Sequence, residues 1–276
     1  MAIKSVKIKT SPKETPLRIL FIGDIMGKPG RTAVSALLPA LRKKEKIDYV
    51  IANAENLAHG KGINKKSLDE MRAAGVDFFT SGNHIWAKRE GLGLLEGDES
   101  TVIRPANYPS QTPGRGYALA TLGKNRILMV NLMGRVFMKE SLDCPFRTLD
   151  SILAQTGSED LSAIIVDFHG EATSEKNCLG LYADGRVSAV VGTHTHIPTA
   201  DNRVLPKGTA YSSDIGMVGL RDSSIGIDAG PVIEAFLTQR PGKFDIPEHG
   251  VVVFNSCMIE IDPTTRKALS ITRIQK

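Results

Sequence analysis

Short apolar runs alternate with helical patterns over the first third of this 276-residue chain. RILFIGD, Arg18 to Asp24, closes on a glycine and an acid, and a helical spacing of apolar positions follows from about Arg31 to Lys46. The theme returns in DYVIANAEN, in a helix opened by Ser67 with Glu70 at capping-box spacing, and in VDFFTSGNH. Strand, helix, strand, helix, strand predicts a largely parallel sheet. The middle differs: VIRPANYP, GYALATL and RILMVNLMG read as short strands between Pro and Gly turns, with no long helix separating them. The rhythm resumes through RTLDSILAQ, SAIIVDFHG, a helix near Ser174 to Tyr182 and VSAVVGTHTH, and GVVVFNSCMIEI with ALSITRI ends the chain as a hairpin. No repeat, low-complexity tract or long linker interrupts the pattern. It predicts an α/β fold in which residues 17–276 form one domain of two packed sheets with outer helices, behind a basic tail at residues 1–16.

Polar residues gather where the apolar runs stop. Asp24 ends the first strand, Glu55 and Asn56 the second, and Asn83 and His84 the third, while His169 follows AIIVDF and His194 and His196 follow SAVVG. The carboxyl ends of strands in open α/β sheets form a ligand-binding rim, so these five segments should converge. Carboxylates, amides and imidazoles without cysteine are the donor set of a hydrolytic metal centre, and there are enough of them for two ions. In an extended segment alternate side chains share a face, which would send His194 and His196 into the site and Thr195 away from it. His59 and His249 read as loop histidines, although His59 is close enough to Glu55 to line the cleft. Asn83 also suits a turn through its tolerance of positive φ. Asp201 and Asp214 either cap loops or hold a ligand imidazole in one tautomer.

Composition narrows the class. With 41% hydrophobic and 24% charged residues the chain is an ordinary globular one. No stretch approaches the ~18 apolar residues of a membrane span, and residues 1–16 lack the apolar run of a secretory signal. Cys144, Cys178 and Cys257 are odd in number and have no C-x-x-C spacing, which argues against a disulfide framework or zinc ribbon. A cytoplasmic protein with no membrane partner is expected. Of the net charge of +5, Lys4, Lys7, Lys9 and Lys13 against Glu14 supply +3, and RKKEK at Arg42 to Lys46 suits the negative end of a helix dipole. Charge therefore does not point to RNA, though RNA stays open as a partner. GDIMGKPG has the wrong spacing for a phosphate loop, and no G-x-S-x-G occurs.

The motifs GD at Asp24, EN at Glu55, GNH at Asn83, FHGEATSEK at His169 and GTHTH at His194 resemble, in this order, those of the calcineurin-like metallophosphoesterases. RPANYP, NLMGR and YSSDIGMVG extend the likeness to the bacterial YmdB-like subfamily over nearly the whole chain after the tail. The resemblance implies a four-layer α-β-β-α sandwich and a binuclear, metal-dependent phosphodiesterase. Its substrates would be phosphodiesters, cyclic nucleotides such as 2′,3′-cAMP foremost, attacked by a hydroxide bridging the metals. Met26 stands where the superfamily's first motif usually has a histidine, so the resemblance implies that Glu55 bridges and Asn56 supplies the missing oxygen. One metal would then take Asp24, Glu55, Asn56 and His196, and the other Glu55, Asn83, His169 and His194. His84, left outside both sets, becomes the candidate catalytic residue that protonates the leaving oxygen. The donor set suits two divalent or mixed-valence ions, iron or manganese, and admits zinc. The alternative is a metal-bound nucleotide sensor with little turnover. A homo-oligomer is compatible with either.

Overall fold

The computed structural model describes residues 15–97 and 100–276, so the expected basic tail falls almost wholly outside the described residues. The first part of the chain gives β1 (Leu17–Ile22), β2 (Asp24–Ile25), α1 (Gly27–Lys44), β3 (Tyr49–Asn53), α2 (Lys65–Ala74), β4 (Phe78–Thr80), a 3-10 turn at Asn83–Ala87, and α3 (Arg89–Leu92). Then come β5 (Tyr117–Leu122), β6 (Asn125–Met133), α4 (Pro145–Gln155), β7 (Ala163–His169), α5 (Thr173–Ala183) and β8 (Ala189–Thr193). The last part holds β9 (Arg203–Val204), β10 (Ala210–Ser212), β11 (Met217–Leu220), α6 (Ala229–Thr238), β12 (Val252–Ile261) and β13 (Ala268–Gln275).

Two mixed sheets result. One runs β2-β11-β12-β1-β3-β4 with β13 also on β12, and the other runs β5-β6-β7-β8-β10-β9. In the first, β1, β3 and β4 are parallel and β12 is antiparallel to β1; in the second, β6, β7, β8 and β10 are parallel. Period-two alternation sorts the strand residues into layers. Leu20, Ile22, Val50 and Ala52 face Val34, Leu38, Leu68 and Met71 of α1 and α2. Their neighbours Ile19, Phe21, Tyr49 and Ile51 face Ile127, Met129, Ile165 and Val191 of the other sheet. On the far side Leu128, Val130, Ile164 and Val166 pack against Leu149, Ile152 and Leu179 of α4 and α5. The layers are helix, sheet, sheet, helix, as expected. At roughly 1.5–3 kcal/mol per buried aliphatic side chain, these three apolar layers lock the two sheets together and bring their strand ends to one rim.

Three local expectations need correction. Helix α1 starts at Gly27 rather than Arg31, directly after β2. Asn64, not Ser67, caps α2: its Oδ1 accepts the Ser67 N–H at 2.8 Å, and the Asn64 N–H returns to Ser67 Oγ at 3.4 Å. Asn is as good a cap as Ser, so the box simply sits three residues earlier. VIRPANYP forms no strand beyond a bridge from Val102 to Phe79. Pro105 has no N–H to donate, and the Asn107 side chain, not the backbone, bonds the N–H and carbonyl of Met133 at 2.9 and 2.8 Å.

Candidate metal centre

Strand ends from both sheets deliver the expected residues to one buried cluster. Asp24 sits on β2, Glu55 and Asn56 just after β3, Asn83 and His84 on the 3-10 turn after β4, His169 at the end of β7, and His194 and His196 after β8. Asp24, Glu55, Asn56, His169 and His196 are buried, while Asn83, His84 and His194 are half-buried on the open side.

His169 Nε2 lies 3.3 Å from Glu55 Oε2, 3.2 Å from Asn83 Oδ1 and 3.0 Å from His194 Nδ1. Donors held about 2.1 Å from one cation stand roughly 3.0–3.4 Å from each other, so this is the spacing of a coordination shell. On the other side of Glu55, His196 Nε2 is 3.3 Å from Asn56 Nδ2 and 3.9 Å from Asp24 Oδ1. As placed, Asn56 turns Nδ2 toward Glu55 and His196, and its Oδ1 accepts from His84 Nδ1 at 2.9 Å, so ligation through Oδ1 requires the amide to rotate.

Each of the three imidazoles has its tautomer set by the nitrogen facing away from the cluster. His169 Nδ1 contacts Thr193 Oγ1 at 2.9 Å, and that hydroxyl gives its proton to Asp167 at 2.7 Å. Asp167 is held in turn by Asn53 Nδ2 at 3.1 Å. His196 Nδ1 faces the Ile225 carbonyl at 2.9 Å, and His194 Nε2 faces Glu171 at 3.1 Å. All three outer nitrogens meet acceptors and so carry the hydrogen. The inner nitrogens are left as bare lone pairs, two of them, on His169 and His194, only 3.0 Å apart.

The electrostatics fit the same occupant. Burial, with Glu55 and Asp214 nearby, pushes the Asp24 carboxyl well above its ordinary range. Its Oδ1 is buried without a hydrogen-bond donor. Burial lowers the pKa values of His169 and His196, keeping the rings neutral as ligation demands. A cation would relieve the orphaned carboxylate oxygen and the facing lone pairs together. Gly82 keeps the space beside these donors open: a Cβ there would collide with His169 Nε2 and Glu55 Oε2. Glu55, His169 and His194 thus form a group able to hold a metal ion.

The rings of His194 and His196 do enter the site, but not through an extended backbone. Strand β8 ends at Thr193, and φ is +104° at His194 and +66° at His196, in the left-handed region. Such conformations cost of order 1–3 kcal/mol each. The fold holds them by fixing Thr195 between the rings, its N–H donating to Asp214 Oδ2 at 3.0 Å. Asp214 also accepts from buried Lys176 Nζ at 2.7 Å, and Lys176 donates to the Thr193 carbonyl at 2.9 Å. Asp214 therefore holds the loop and not an imidazole, and Asp201 bonds Thr199 and Ser213. Sequence reading missed Thr193, Glu171, Ile225 and Lys176; FHGEATSEK contains two of them, but nothing in its pattern says which group each would meet. Met26 packs against Gly219 and Gly226. Lys28 pairs with Glu248 and Arg31 with Glu70, and His59 faces a cavity it shares with Phe244 and Ile246.

The chain matches the family described as YmdB-like protein over residues 20–274. A 2′,3′-cyclic-nucleotide 2′-phosphodiesterase of Bacillus subtilis (strain 168) is 45% identical over 258 residues, 94% of this chain and 96% of the relative. Among solved structures, a Thermus thermophilus protein of 43% identity superposes with a TM-score of 0.87, covering 94% of this chain and 99% of its own. A Mycoplasma pneumoniae phosphatase of 34% identity does so with a TM-score of 0.88, over 95% and 93%.

Proposed function

Because the chain belongs to the YmdB-like family, we propose that it is a binuclear metal-dependent phosphodiesterase acting on cyclic nucleotides such as 2′,3′-cAMP. The observation that carries the reading is the set of three oriented imidazoles whose bare nitrogens meet Glu55, Asn83, Asn56 and the unpartnered oxygen of Asp24. Asp24, Glu55, Asn56 and His196 would hold one ion, and Glu55, Asn83, His169 and His194 the other. Iron or manganese suits this donor set best. When bound, the ions supply Lewis-acid activation of the phosphate and of water.

The chain's own residues do the rest. Glu55 and Asp24 offset part of the cationic charge, and among the described residues no Arg or Lys bonds a member of the cluster, Lys28 and Arg31 being engaged with Glu248 and Glu70. A singly charged diester therefore suits the site better than a dianionic monoester, which calls for paired cationic donors. His84 presents Nδ1 to Glu55 Oε1 at 3.2 Å, a contact that rotation of the Asn56 amide leaves in place. That leaves Nε2 of this half-buried ring to deliver a proton to the leaving oxygen. Metal analysis alongside kcat/KM for an aryl phosphate, its diester and 2′,3′-cAMP tests the reading. Two ions per chain and a preference for the diesters are expected. A clear monoester preference overturns the substrate class, and a metal-loaded protein inert on all three makes it a nucleotide-sensing regulator.

A further inference from the structure

A second cavity, of about 780 Å³, opens beside the metal rim between the start of β5, the loop after β6 and one flank of α4 along its whole length, Cys144 at the helix start included. Its size is that of a small-molecule site. Three arginines line it, Arg104, Arg135 and Arg147, against a single acid, Asp143. Arg104 is only 6% exposed, and its guanidinium donates to the carbonyls of Pro105, Thr112 and Pro113 at 2.8, 3.2 and 3.3 Å, with no carboxylate among the described residues paired to it. Neither Arg135 nor Arg147 forms an ion pair with a described residue. Helix α4, eleven residues long, adds its positive end: Cys144 provides no side-chain cap for the first-turn N–H groups. The cavity carries excess positive charge that nothing in the described chain consumes.

Two aromatic rings complete the lining, Tyr108 and Tyr117. Tyr108 stands edge-on to Trp86 with ring centroids 5.3 Å apart, and Trp86 follows His84 by two residues. Arg135 follows Gly134, whose N–H donates to the His169 carbonyl at 2.9 Å. The cavity is thus joined to the metal centre on both walls, through the turn that carries His84 and the loop that leaves His169. Guanidinium groups and a helix start recognise phosphate, and tyrosine faces accept a base.

We propose that this cavity binds the nucleotide next to the reacting phosphate, so that the substrates include oligoribonucleotides ending in a 2′,3′-cyclic phosphate. The inference rests on the phosphodiesterase reading above. In the reaction, water adds across one P–O bond of the terminal ring, leaving a phosphomonoester and a freed hydroxyl that takes up the proton. The penultimate phosphate stays intact against Arg135 and Arg147.

Two measurements separate this proposal from that reading. The ratio of kcat/KM for a diadenosine ending in 2′,3′-cyclic phosphate over 2′,3′-cAMP should exceed unity by roughly ten- to a hundredfold, the contribution of charge-assisted hydrogen bonds to one phosphate. In Arg135→Ala/Arg147→Ala at equal metal content, the ratio should fall to near one. Binding is read independently of turnover by Trp86, the chain's single tryptophan: 5′-phosphorylated diadenosine should change its emission in the wild type and not in the double variant. If the emission responds while no substrate is turned over, the enzymatic reading fails and the site survives as a nucleotide site. A ratio near one in the wild type, or an emission response to AMP equal to that for the dinucleotide, overturns the proposal, the latter in favour of a free-nucleotide effector site.

Discussion

Replacing Lys176 by Met should destabilise the protein sharply, although Lys176 touches no metal donor. Its side chain is 2% exposed and that of Asp214 is fully buried, with Nζ and Oδ2 2.7 Å apart. Met matches the volume of the stem but removes the cation, and Asp214 is left as a buried carboxylate with only the N–H groups of Thr195 and Gly216, at 3.0 and 2.8 Å. Breaking a buried pair from one side costs about 3–5 kcal/mol, and those two remaining donors favour the lower end. For a chain of this size that is a fall of roughly 10 °C in Tm. The measurement is thermal unfolding of metal-free protein, since bound ions would add their own stabilisation. Lys176→Met/Asp214→Asn leaves no unpaired charge and should recover most of the loss. A single variant within about 1 kcal/mol of wild type, or a double variant as unstable as the sum of the two singles, would refute the reasoning.

Two further outcomes test the site itself. His84→Ala should keep its metal content and lose ~10²–10⁴-fold in turnover; metal loss in step with activity would make His84 a ligand instead. Gly82→Ala should fold yet bind metal weakly, because the new Cβ meets His169 Nε2 and Glu55 Oε2 at 2.2 and 2.3 Å, and full metal occupancy by elemental analysis would contradict the crowding.

The sequence exposed the site more readily than the parts that hold it. Strands such as RILFIGD and SAIIVDFHG are apolar on both faces because each lies between two layers, and a polar residue after such a run has to be at a rim. That logic finds Asp24, Glu55, Asn83, His169 and His194 without knowledge of which strands pair. It cannot find Thr193, Glu171 or Ile225, because their roles depend on which ring each one meets across the fold. The left-handed turns at His194 and His196 were equally hidden: period-two reasoning holds only while the strand lasts, and β8 stops at Thr193. Helix α6 escaped notice for another reason. It buries none of its residues and leaves Ile233, Phe236 and Leu237 exposed, so it has no inner face for a periodicity to mark.

The sheet order also sets a timetable for the site. Asp24 is placed by β2, whose partner is β11, and β1 lies against β12, so the N-terminal donors are fixed by strands some two hundred residues downstream. During synthesis at about 5–20 residues per second, roughly 10–50 s separate the emergence of Asp24 from that of β12. Throughout that interval the early carboxylates and amides exist without the backbone that aims them and, for most of it, without any of the three histidines. Because an unfinished donor set holds ions poorly, the cluster could select and retain an ion only once β11 and β12 are in place.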